Sequence, residues 1–72
     1  VDTHSISMCR CTVYMSTNDG VLELVPNAVR LSKDGELLVI LDDLGERLEF
    51  RNVRIKEINL LSNNIVLEKE AI

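Results

Sequence analysis

The sequence is poor in aromatic residues, glycine and proline, and it has no long apolar segment. Aromatic residues make up 3% of the chain, with a single Tyr14, a single Phe50 and no Trp. The core must therefore be aliphatic, and the base-stacking surface of many RNA-binding modules is missing. Three Gly and one Pro exclude a collagen-like chain. No apolar run approaches the roughly 18 residues of a membrane span, and no signal-peptide pattern is present.

Cysteine is also scarce, since Cys9 and Cys11 are the only two. A small secreted scaffold held by disulfides would normally carry four or more cysteines spread along the chain. A bridge between Cys9 and Cys11 would close almost no loop and would strain an extended backbone. We therefore expect reduced thiols and a cytoplasmic protein.

A chain of 72 residues with a net charge of −4 forms one domain and is a poor ligand for polyanions. Residues 1–7 have no useful periodicity and do not begin with Met. We predict that they are a remnant of an expression vector or a disordered extension, and that residues 8–72 form the domain. A domain of this size that has no disulfides often buries additional apolar surface by pairing with a second copy of itself. We therefore predict a homodimer.

Beyond Met8, short apolar runs separated by turn residues predict strands. Residues 8–16 alternate, with Cys9, Cys11, Val13 and Met15 on one face. Turns are predicted at Asn18–Gly20, Lys33–Gly35, Asp42–Gly45 and Asn63–Asn64. Pro26-Asn27 is expected to break the second apolar run. A bulge is expected near Glu57. The fold class is therefore all-β: a small antiparallel β-barrel or rolled sheet of about six or seven short strands.

The run Glu36–Leu41 (ELLVIL) is unbroken and indicates a strand that is covered on both faces. We expect one face to fill the barrel and the other, with Leu38 and Ile40, to need cover. A second subunit would supply it, which again predicts a homodimer.

Several short motifs, in this order and spacing, resemble the CooT family over residues 8 to about 68. They are Met8-Cys9, Val13–Met15, Asp42–Glu46, Ile55–Asn59 and Ile65–Glu68. The resemblance implies a small β-barrel-like fold that is often dimeric. It also implies nickel binding by an accessory to maturation of a nickel carbon monoxide dehydrogenase, and the family has also been labelled as predicted RNA-binding proteins. Only Cys9 matches a family site residue, because Cys11 is not a regular family feature.

Cys9 gives the resemblance a chemical basis. If Met8 is the natural start and is removed, Cys9 offers a thiolate, a free amine and a backbone amide in one chelate, a donor set that suits Ni(II) or Cu(II). Cys11, two residues on, could add its sulfur, and Zn(II) held by four thiolates from two chains competes with this interpretation. The alternative is that both cysteines are small buried apolar residues.

The remaining candidates are weaker. Arg47, Arg51, Arg54 and Lys56 lie within ten residues and offer an RNA-binding alternative, although acidic residues interleave with them. His4 is the only imidazole, and we expect it to be an exposed residue of the extension. We interpret Asp42, Asp43 and Glu46 as turn residues rather than a calcium loop. No nucleophile motif or phosphate-binding glycine loop is present, so we predict a protein that is not an enzyme.

Overall fold

The computed structural model describes the backbone of residues 4–70 and the side chains of residues 10–70. This part of the chain forms six strands and contains no helix, so none that could cross a membrane. The strands are β1 (His4–Thr17), β2 (Gly20–Asp34), β3 (Leu37–Asp42), β4 (Arg47–Arg51), β5 (Val53–Asn59) and β6 (Asn64–Lys69). The predicted all-β class is confirmed.

All six strands belong to one sheet, in the order β4-β3-β2-β1-β6-β5. The pairs are antiparallel except for β1 and β6, which run parallel. The outermost strands β4 and β5 do not pair with each other in the described part of the chain. The sheet is therefore open and rolled rather than closed into a barrel.

The roll depends on a bend in the central strand. A straight strand of the length of β1, 14 residues, would extend about 46 Å, whereas the largest dimension of the molecule is 30 Å. Lys33 pairs with His4 at the start of β1, and Glu70 follows β6 near the opposite end of β1. Their side chains nevertheless meet, with Lys33 Nζ 3.9 Å from Glu70 Oε1. The sheet therefore folds over on itself.

The space between the two halves of the folded sheet contains one aliphatic core. Every strand except the edge strand β4 contributes fully buried side chains, and Phe50 of β4 packs against them while partly exposed. The buried residues are Cys11, Val13, Met15, Val25, Ala28, Leu31, Leu38, Ile40, Val53, Ile65 and Leu67.

Strand β3 faces the opposite way from the prediction. Leu38 and Ile40, expected on the face that needs cover, are 0% and 1% exposed in the core. The half-buried residues Leu37, Val39 and Leu41 form the outer face instead. The reason is register: Ile40 pairs with Leu31 of β2, and residues directly opposite each other share a face.

Three further findings concern the predicted breaks, bulges and bounds of the strands. Pro26-Asn27 does not break the second run: β2 continues through it, and one extra residue of β2 is absorbed between the Val13–Val25 and Cys11–Ala28 pairs. The bulge expected near Glu57 is confirmed, because Lys56 is the extra residue between Ile55 and Glu57. Strand β1 begins at His4, so residues 4–7, assigned to the extension, pair with β2.

The predicted turn at Asp42–Gly45 has well-defined hydrogen bonds. The Asp42 carboxylate oxygen Oδ1 accepts from the backbone N–H of Leu44 at 3.0 Å and of Glu46 at 2.7 Å. Gly45 has a φ of 83°, a conformation that other residues rarely adopt. The interpretation of Asp42 as a turn residue is therefore confirmed.

Candidate metal-binding site

The candidate ligand Cys9 lies in a bulge of β1. Ser7 pairs with Arg30 and Cys11 pairs with Ala28. Between these two pairs β1 advances by four residues while β2 advances by only two, so β1 contains two extra residues here. The two extra residues are accommodated by Arg10, whose φ of 41° is left-handed. No Gly or Pro marks this position in the sequence, and so the bulge could not be predicted.

Two neighbouring turns contact β1 at the bulge and just after it. Arg10 Nε lies 3.5 Å from Asp43 Oδ2 of the β3–β4 turn, and the backbone N–H of Asp43 donates to Asn27 O at 3.0 Å. On the other side, the N–H of Thr12 donates to Asn63 O in the β5–β6 turn at 2.9 Å. The backbone around Cys9 is thus positioned by three separate segments of the chain.

Cys11 lies in the core and is only 3% exposed. Its Sγ makes a weak 3.8 Å contact with Thr12 O, and burial raises the pKa of the Cys11 thiol above its ordinary value because desolvation disfavours the thiolate. Since metals bind the thiolate, this position is typical of a structural cysteine. The interpretation of Cys11 as a small buried apolar residue fits its surroundings.

The side chains of Cys9 and His4 lie outside the described residues, and both remain sequence-based candidates. The prediction that Cys9 and Cys11 share a face assumed unbroken alternation along β1. Two extra residues and a left-handed Arg10 interrupt that alternation between Ser7 and Cys11. The backbone therefore gives no support for two converging sulfurs.

Within residues 10–70, no three His, Cys, Asp or Glu side chains lie close enough together to hold a metal ion. The Asp42 carboxylate accepts hydrogen bonds from backbone N–H groups of its own turn, and the Asp43 carboxylate is paired with Arg10. Side chains in this part of the chain therefore do not provide a set of oxygen ligands for a hard cation such as Ca²⁺.

The four cations of the RNA-binding alternative are divided between two strands. Arg47 and Arg51 lie on β4, and Arg54 and Lys56 lie on β5, at opposite edges of the sheet order. Arg47 Nε is 3.0 Å from Glu49 Oε2, and Arg54 Nε is 2.7 Å from Glu68 Oε1. Two of the four charges are therefore balanced by neighbouring carboxylates, and RNA binding stays a prediction.

Comparison with known proteins agrees with this architecture. The crystal structure of a protein assigned as CooT from Carboxydothermus hydrogenoformans matches with a TM-score of 0.77 at 22% identity, over 88% of this chain and 100% of that chain. At this identity the likeness establishes the fold. No curated protein matches the sequence significantly.

The family comparison extends over most of the chain. The model of the CO dehydrogenase accessory protein CooT matches residues 8–68, which include Cys9 and every strand from β2 to β5. The motifs that gave the resemblance all fall within this range. The chain belongs to the CooT family of CO dehydrogenase accessory proteins.

Proposed function

We propose that this protein binds Ni(II) as cargo through Cys9 and serves as an accessory in the maturation of a nickel-containing CO dehydrogenase. The accessory role follows from membership of the family. The observation that carries the choice of ligand is the burial of Cys11 in the core, because Cys9 is then the one remaining cysteine that could supply a thiolate.

The chemistry of Cys9 fits the cargo. A cysteine at the start of a chain supplies a thiolate, an amine and the following backbone amide, and thiolate and nitrogen donors together suit Ni(II) or Cu(II) better than a hard cation. Zn(II) held by four thiolates from two chains would require Cys11 as well. That alternative is disfavoured because Cys11 would have to leave the core and lose its protonated, buried state.

A nickel titration tests the proposal. A chain that starts at Met8, with Met8 removed in the cell, has a free amine on Cys9, whereas in the 72-residue chain this nitrogen is an amide. We expect thiolate-to-nickel charge-transfer absorption on adding Ni(II) to the shorter chain, with the 72-residue chain binding more weakly or with a different spectrum. The absence of such a band from the shorter chain at micromolar concentration would overturn the proposal.

The homodimer belongs to the same proposal. The outer face of β3 presents Leu37, Val39 and Leu41 as a half-buried apolar strip. Arg30, Ser32 and Asp34 of β2 lie on one side of this strip, and Arg47, Glu49 and Arg51 of β4 lie on the other. An apolar centre with a polar rim is the usual anatomy of an interface.

The position of the strip connects dimerisation with the candidate ligand. Leu41 pairs with Arg30, and Arg30 pairs with Ser7 on β1, two residues before Cys9. A second copy seated on the strip would therefore lie two strands away from the part of β1 that contains Cys9. Fully burying an exposed large aliphatic side chain is worth about 1.5–3 kcal/mol, and each half-buried side chain of the strip gains only part of that on association.

Sedimentation equilibrium checks this assembly. We expect a species of about twice the 8.1 kDa chain mass at micromolar concentration. The substitution Val39→Glu should convert it to monomer, because a charge in the centre of the strip would be buried without a partner. Leu61→Glu is the matched control, since Leu61 is already 99% exposed. A natural-sequence protein that sediments as a single chain would contradict the dimer.

A further inference from the structure

A polar cleft lies at the end of the molecule formed by the β1–β2 hairpin. Its volume is about 630 Å³, within the range of small-molecule binding sites. The hairpin side contributes Ser16, Asn18 and Asp19, and the opposite side contributes Lys56 of β5 with Lys69 of β6. It shares no residue with the candidate nickel site.

The charges that line the cleft are unusual for this acidic protein. Glu68 also lines it, but Glu68 Oε1 is bound by Arg54 Nε at 2.7 Å. Lys56 and Lys69 have no carboxylate partner within 4.0 Å in the described part of the chain. The lining holds two ammonium groups and two carboxylates, those of Asp19 and Glu68, and Arg54 beside Glu68 adds a third cation. Three cations against two carboxylates give this surface an excess of one positive charge, in a chain whose net charge is −4.

The walls of the cleft are held in place by local structure. The Thr17 hydroxyl donates to Gly20 O at 2.9 Å and accepts from the backbone N–H of Asp19 at 3.2 Å, which fixes the hairpin tip. Lys56 is the extra residue of the β5 bulge, and bulges commonly redirect a side chain toward a site. The Ser16 hydroxyl and the Asn18 amide make no side-chain hydrogen bond within residues 10–70 and remain free to donate.

We propose that this cleft binds a small phosphate monoester, with Lys56 and Lys69 as the cationic ligands and Ser16 and Asn18 as hydrogen-bond donors. A phosphate monoester carries close to two negative charges at pH 7 and three acceptor oxygens, which matches two ammonium groups and two neutral donors. The ammonium group of lysine is a common point-charge partner of phosphate. The cleft volume leaves room for the esterified group.

Titration of the ¹⁵N-labelled protein with AMP, and separately with inorganic phosphate, tests the proposal at constant ionic strength. We expect saturable shifts of the backbone amides of Ser16–Asp19 and Glu68–Lys69, with AMP binding more tightly than inorganic phosphate. Lys56→Gln and Lys69→Gln should each weaken binding about three- to fivefold, the effect of removing one exposed charge pair. Lys33→Gln is the matched control, because Lys33 is paired with Glu70 outside the cleft.

Three outcomes would overturn the assignment. Shifts that do not saturate, or that weaken equally in Lys33→Gln, would mean that the anion only screens surface charge. Tighter binding of a single-stranded RNA oligonucleotide, with shifts spreading to Arg47 and Arg51, would assign the surface to nucleic acid instead. All three variants replace exposed or half-exposed lysines, and their amide spectra report directly that they are folded.

Discussion

Replacing Leu38 by Ala will destabilise the domain more than truncating any residue on the outer face of β3. Leu38 is 0% exposed, and its removal leaves a cavity between the two halves of the folded sheet. Such truncations cost about 2–5 kcal/mol, whereas a domain of this length has a total stability of about 4–11 kcal/mol. We expect the midpoint of thermal unfolding to fall by at least about 10 °C, measured by circular dichroism.

Two controls separate the cavity from general effects of truncation. Leu61→Ala changes the same side chain at a position that is 99% exposed, so its effect should stay within about 0.5 kcal/mol. Val39→Ala, next to Leu38 on the outer face of β3, should also cost less than Leu38→Ala. Equal losses in Leu38→Ala and Leu61→Ala would mean that the assigned face of β3 is wrong.

Replacing Cys9 by Ala will abolish nickel binding by the chain that starts at Met8. The thiolate is the one soft ligand of the proposed chelate, and the amine and amide that remain bind Ni(II) weakly without it. We expect complete loss of the charge-transfer absorption. Equilibrium dialysis should show a fall in affinity beyond the roughly 10–100-fold that follows loss of a group that merely supports a metal ligand.

Cys11→Ala is the matched control for that loss. Cys11 is buried in the core, so the substitution should lower stability modestly while leaving the nickel spectrum unchanged. Circular dichroism under the titration conditions verifies that each variant is folded. If Cys11→Ala removed the absorption and Cys9→Ala kept it, the ligand would be the buried thiol and the proposed site would be wrong.

The sequence singles out Cys9 as a candidate ligand, but it does not predict the backbone geometry around Cys9. Cys9 emerges from the sequence because it follows Met8 and resembles the family pattern. The bulge around Arg10 does not emerge, because its positive φ of 41° occurs at a residue type that rarely adopts it. The pairing of Arg10 with Asp43 joins residues 33 positions apart, and local pattern carries no information about such a contact.

The phosphate cleft illustrates the same limit. Lys56 and Lys69 come from different strands, and the sequence groups Lys56 with Arg47, Arg51 and Arg54 instead. Only the antiparallel pairing of β5 with β6, next to the end of β1, brings the two lysines to one cleft.

By itself the sequence determined the local features of this protein: the all-β class, the turn at Asp42–Gly45, the bulge near Glu57 and the placement of Val13 and Met15 on one face of β1. These depend on period-two alternation and on turn residues, which act over a few positions. The tertiary structure alone decided that β2 runs through Pro26 and that Leu38 and Ile40 face the core. An unbroken apolar run such as ELLVIL has no polar side, so its inner face is set by register against β2, and a shift of one residue would have exchanged the two faces.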